Sequence, residues 1–179
     1  CIHGHDVANL GPSIVTGSRV VFKHGKPAKS LYRMYGLETH DIKDDYVAME
    51  ELVRRSIRRC LDREPDAMPD LLLIDGGLGH VRAARKAMGF GVANRELRMA
   101  HLKSEISNPK SQIPTRHAFE IVGLAKEEEL IVLEDGKIIR LKRNDPALNL
   151  LQRIRDEAHR FSRKLMASRA KKKMLSRKS

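Results

Sequence analysis

Leu71-Leu72-Leu73-Ile74-Asp75-Gly76-Gly77 is the stretch that decides how this 179-residue chain folds. Four consecutive apolar residues read as a fully buried strand, and the two glycines after Asp75 end it. Asp75 therefore stands at the carboxyl end of a buried strand, where open α/β sheets usually bind their ligands. A carboxylate there is poorly solvated unless it is paired or bound to a cation. The competing reading is a helix N-cap directly after the strand.

Toward the amino end, the first third of the chain reads as a meander of strands. His5–Leu10, Ser18–Lys23 and Ala28–Tyr35 are the candidates, with a hairpin-like break at His24-Gly25-Lys26. His3 and His5 alternate poorly with Asp6 and read as incidental, solvent-facing or terminal residues. Asp44 or Asp45 can then cap a helix whose apolar stripe is Tyr46, Met49, Val53, Ile57 and Leu61. Arg54, Arg55, Arg58 and Arg59 lie off that stripe, and Glu64–Pro69 ends the helix ahead of the buried strand.

Toward the carboxyl end, a second helix is expected over His80–Met88, starting near Gly79. Residues 91–117 are polar, contain Pro109 and Pro114, and read as an excursion over the surface with one short helix at most, around Arg95–Leu102. Ile121–Ala125 is a fifth strand, and Leu130–Leu133 and Lys137–Leu141 flank a hairpin signal at Glu134-Asp135-Gly136. The last helix starts with Asp145 as N-cap and Pro146 at the first helical position. Leu148, Leu151, Ile154, Ala158, Phe161 and Leu165 mark its apolar face, and His159 falls beside that face. The order of elements predicts an α/β fold, a mixed sheet with helices on its faces.

The bulk composition narrows the classes. The length suits one domain, expected over residues 1–166 with a basic tail at 167–179. There is no Trp, so Leu, Ile, Val and Met must build the core. The chain begins at Cys1, which reads as an excised piece of a longer protein. Cys1 and Cys60 have no metal-ligand spacing and form no disulfide framework, so a reducing, cytoplasmic setting is expected. No stretch reaches the roughly 18 apolar residues of a membrane span. Residues 160–179 hold nine Lys and Arg and no acid, out of a net charge of +12. Such a block favours a polyanionic partner, nucleic acid before membrane, although terminal basic runs are also plain solubilising tails.

Several motifs occur together and in order: HDVAN, KPAKSLYRMY, DDYVAM, LLLIDGGLGH, GLAK and DPALNLLQRIRDEAHRF, followed by the Arg/Lys-rich end. In this they resemble the C-terminal endonuclease domain of UvrC, the incision subunit of bacterial nucleotide excision repair, over roughly residues 1–170. The resemblance implies an RNase H-like fold and an Asp-Asp-His metal site that takes Mg²⁺ or Mn²⁺. It implies a cut in the damaged strand of double-stranded DNA, 5′ of the lesion, and a helicase subunit as partner through regions this chain lacks. By position it makes Asp6, Asp75 and His159 catalytic metal ligands, and Asp45, the second acid of DDY, a further incision residue. Ala8 replaces a usual serine beside Asp6, Leu78 and His80 stand where lysine and glutamine are common, and the 91–117 segment is longer than usual.

Each residue taken alone keeps a second reading. Asp6 suits a turn or strand end, Asp45 a helix cap in front of Tyr46, and His159 a partly buried helix position. GGLGH lacks the ending and spacing of a phosphate loop. Lys126 sits just past the fifth strand, as a phosphate contact or a solvated lysine. Arg153, Arg155, Arg160, Arg163 and Lys164 are the expected DNA-backbone contacts, neutral to sequence and weakened by salt. Hydrolysis at such a site is expected to leave a 3′-hydroxyl and a 5′-phosphate. Two other readings stay open: a nucleic-acid-binding domain with a decayed site, and an RNA-directed or structure-specific nuclease. A ribosomal-type basic protein would have no need of Asp75 where it stands.

Overall fold

The computed structural model describes residues 1–9, 15–37, 45–88, 119–125 and 128–176, with side chains of the last helix described through Arg163. The expected surface excursion at 91–117 and Lys126 lie outside these residues. Eight strands form one sheet: β1 (Ile2–Asn9), β2 (Val15–Lys23), β3 (Lys26–Pro27), β4 (Arg33–Leu37), β5 (Leu71–Asp75), β6 (Glu120–Ala125), β7 (Leu130–Leu133) and β8 (Ile138–Ile139). The helices are α1 (Asp45–Arg63), α2 (residues 78–88) and α3 (Pro146–Ser176). The sheet order is β3-β2-β1-β5-β6-β7-β8, with β4 also paired to β2. β1 runs antiparallel to β2 and parallel to β5, β5 runs parallel to β6, and β6 to β8 are antiparallel.

β5 is central because both of its neighbours are parallel strands, and it alternates between two cores. Leu72 and Ile74 join one apolar cluster with Leu52, Val53 and Ile57 of α1 and Val81 and Ala84 of α2. Leu73 joins the opposite cluster with Leu148, Leu151, Ile154 and Ala158 of α3. Each face of the sheet is thus sealed by helices, as a near-continuous apolar strand requires. α3 lies close enough to β1 that only a glycine fits beneath it. A Cβ on Gly4 would come within 2.6 Å of the Ile154 side chain.

Several local expectations hold. His24 and Gly25 take positive φ values of 51° and 73° in the turn between β2 and β3, the conformation a two-residue hairpin demands. Asp145 accepts the Ala147 amide at 2.8 Å and so caps α3. α3 runs unbroken to Ser176, past the domain boundary expected at residue 166.

Others are corrected. The single strand expected over Ala28–Tyr35 is split by a 3₁₀ turn at Lys29–Leu31. β3 pairs with the end of β2 at Phe22, and β4 returns to pair with Val15–Arg19. In α1 the buried face is Ala48, Met49, Leu52, Val53, Ser56, Ile57 and Cys60, whereas Tyr46 and Leu61 are exposed. The helix is rotated away from the expected stripe because Leu52 fills the space over Gly17 on the sheet.

His3 and His5 are not solvent-facing: both are fully buried on the α1 side of β1. The His5 ring pairs with the Ser56 hydroxyl at 2.9 Å. Burial first, then the nearby Arg19 charge, holds the His3 ring at a pKa of about 3; burial likewise lowers His5. Arg19 itself is fully buried and reaches Glu64 at 2.5 Å, locking β2 to the end of α1. Arg33 and Arg59 bind the same carboxylate. Burial alone would raise Glu64, but these hydrogen bonds, led by Arg19, hold it at about 2.

Candidate metal centre

The period of a β-strand assembles the site. On β1, His3 and His5 face α1, so Gly4 and Asp6 face α3. On β5, Leu71 and Leu73 share the α3 face, and Asp75 follows on it. The register pairs His5 with Ile74, so Asp6 and Asp75 emerge one residue further along two adjacent parallel strands. His159 comes down from α3 onto the same place. Ligand atoms of Asp6, Asp75 and His159 all lie within 4.8 Å of one another.

Asp6 is buried at 4 % exposure. Burial raises its carboxyl pKa, the Ser162 hydroxyl bonded to it pulls the other way, and the Asp75 charge pushes it further up. Two carboxylates so close, one of them desolvated, repel each other unless positive charge lies between them. The His159 Nδ1 stands 3.7 Å from Asp6 Oδ2, beyond hydrogen-bond reach. It is a buried nitrogen with no hydrogen-bond partner among the described residues. Two hard oxygen donors and one unengaged imidazole nitrogen fit a divalent cation such as Mg²⁺ or Mn²⁺.

Ser162 was not expected from the sequence. It lies one helical turn after His159, and its hydroxyl donates to Asp6 Oδ2. The i, i+3 spacing to His159 was the available signal, once His159 was placed beside the sheet.

A cleft of about 610 Å³ opens at the ends of these strands, lined by Asp6, Asp75, Asp45, Met49, His80 and Glu128 among others. Asp45, in the first turn of α1, is exposed and faces this cleft, so its place suits both the helix dipole and the site. His80, noted in the sequence only as a departure from the family pattern, and Glu128, which sequence reasoning did not single out, are further cleft residues. Gly76 turns the chain between Asp75 and α2 with φ 155°, and a Cβ there would strike the His80 ring.

The expected DNA contacts divide. Arg153 and Arg163 are exposed and make no ion pair among the described residues. Arg155 is held by Glu129 at 2.6 Å and Asp156 at 3.0 Å, and Arg160 by Glu157 at 2.7 Å. The last two guanidinium groups are therefore already compensated. For Lys164 only the helical backbone is described.

A mixed sheet of antiparallel strands leading into three parallel ones, with two carboxylates and an imidazole gathered at its central strand ends, defines an RNase H-like nuclease domain. The chain belongs to the family described as the UvrC RNase H endonuclease domain, whose model matches residues 1–162. UvrABC system protein C of Treponema denticola is 38% identical over 166 residues, covering 90% of this chain and 21% of that protein. That of Aquifex aeolicus is 37% identical over 180 residues, covering 98% and 27%. The chain thus spans about a fifth to a little over a quarter of the length of these curated relatives. Among solved structures, Ciona intestinalis endonuclease V bound to a 24mer DNA matches at TM-score 0.41 and 18% identity, over 70% of this chain and 45% of that one. That likeness is too distant to add to the assignment.

Proposed function

We propose that this domain hydrolyses a phosphodiester bond of damaged double-stranded DNA on the 5′ side of the lesion, as the incision step of nucleotide excision repair. The observation that carries the reading is the convergence of Asp6, Asp75 and His159 within 4.8 Å at one end of the sheet. Mg²⁺ or Mn²⁺ held there would make water nucleophilic and offset charge on the pentavalent phosphate and the leaving oxygen. Asp6 and Asp75 hold the cation as hard anionic ligands, and His159 completes the set. Ser162 fixes the Asp6 carboxylate, as groups behind a metal ligand commonly do. Asp45 borders the same cleft and takes part in incision, and Arg153, Arg163 and Lys164 lead the DNA backbone past it, with Lys126 as a further phosphate contact.

The named system of the relatives supports DNA and other Uvr subunits as partners, the helicase subunit first. A nuclease acting on chromosomal DNA would work in the cytoplasm of a bacterium; no described helix is long and apolar enough to cross a membrane. The test is Mn²⁺-dependent cleavage of a pre-nicked, damaged duplex by the full-length protein with its helicase partner. Asp75→Asn should abolish the 5′ cut while DNA binding and melting temperature hold. Undiminished cutting by Asp75→Asn would sink the assignment.

A further inference from the structure

Beside the metal ligands, the cleft has an aromatic lip. Tyr46, in the first turn of α1 next to the cleft residue Asp45, is 51% exposed. Its ring meets the ring of His80, itself a cleft residue in the first turn of α2, edge to face at a centroid distance of 4.8 Å. Two glycines leave room for the pair. A Cβ on Gly76 would lie 2.6 Å from the His80 ring, and a Cβ on Gly79 would lie 2.6 Å from the Tyr46 ring. Gly79 lies within α2, where alanine would favour the helix, and its φ is not in the left-handed region. The backbone therefore does not call for glycine at 79. The ring above it does.

A half-exposed tyrosine whose ring is held against a histidine stands beside a cleft that ends in carboxylates. We propose that Tyr46, backed by His80, is a stacking platform for one nucleobase of the strand whose phosphate enters the metal centre. Every base has a π-face, so such a contact tolerates any sequence. A repair nuclease needs that tolerance. The platform would hold the strand in register for the cut without hydrogen-bond readout, making Tyr46 a positioning residue. This rests on the nuclease reading above.

The experiment uses the 179-residue chain carrying Asp75→Asn, so that the strand stays intact. It is mixed with single-stranded DNA in which one base at a time is 2-aminopurine, whose fluorescence falls on stacking. At one position the fluorescence should be quenched. Tyr46→Leu should abolish that quenching and weaken binding by roughly 5- to 150-fold, whereas Tyr46→Phe should keep both. Gly79→Ala, which displaces the ring but leaves it in the chain, should lose the quenching while melting no lower than its parent. A merely structural tyrosine would not give that combination. Binding and quenching unchanged in Tyr46→Leu and Gly79→Ala would overturn the platform and leave the nuclease reading intact. Failure of the chain to bind the strand at all, with no incision by the unsubstituted protein, would overturn both.

Discussion

Asp6 cannot be stable as an isolated buried carboxylate, and its surroundings show how it is managed. The Ser162 hydroxyl donates to one of its oxygens, and His159 stands near the same oxygen. Replacing that hydroxyl removes a hydrogen bond to the Asp6 carboxyl group without touching any of the proposed ligands. Ser162→Ala should therefore lower Mn²⁺ affinity by roughly 10- to 100-fold, as loss of a group behind a ligand commonly does. Isothermal titration calorimetry would measure it, and an unchanged affinity would show the serine to be structural only. The strand that carries Asp75 was legible in the sequence, because an apolar run closed by two glycines marks its end, while the helix-cap reading of the carboxylate stood beside the ligand reading. Ser162 was not, since a serine on a helix carries no signal until the neighbouring strand is placed. His3 and His5 were misread for a related reason: they are buried on the side of β1 covered by α1, an element distant in sequence.

At the scale of elements, the site depends on how α1 and α3 grip the sheet from opposite sides. α3 approaches over Gly4 and carries both His159 and Ser162. α1 is fastened at its far end by the Arg19–Glu64 pair, in which Arg19 is fully buried. Removing one partner of a buried pair leaves an uncompensated charge, which costs about 3–5 kcal/mol. Glu64→Gln should destabilise the domain by an amount of that order in urea unfolding, since Arg33 and Arg59 lean on the same carboxylate. A change below about 1 kcal/mol would mean that Arg19 finds water or another acceptor. β5 and the capped start of α3 were readable from the apolar run Leu71–Ile74 and from Asp145-Pro146. The rotation of α1 was not, because an apolar residue every third or fourth position fits two adjacent faces. Packing of Leu52 over Gly17 chooses between them.

For the whole molecule, the buried histidines set a pH dependence of stability. His3 is held at about 3 in the folded chain, against about 6.5 when exposed, and His5 is lowered too. The unfolded chain therefore binds these protons more readily, so stability is fully present above about pH 6.5 and falls as pH drops toward 3. Glu64, held at about 2, adds a further loss only as pH falls below about 4.5. The urea midpoint should accordingly decline between pH 7 and pH 5, and His3→Met should decline less over that interval. Equal declines would place the acid sensitivity elsewhere. The family and the α/β class were legible because several motifs fall in one order along the chain. The cleft was not, since Asp45, His80 and Glu128 come from three separate parts of the chain that meet only at the strand ends.

The central claim is that Asp6, Asp75 and His159 together hold a divalent cation. It is tested most directly by Mn²⁺ binding to the 179-residue chain, followed by electron paramagnetic resonance of the free ion. Saturable binding should disappear in Asp75→Asn and weaken in His159→Ala, while the metal-free melting temperatures stay within a few degrees of the unsubstituted chain. Mn²⁺ binding that is unchanged in Asp75→Asn, or absent from the unsubstituted chain, would contradict it.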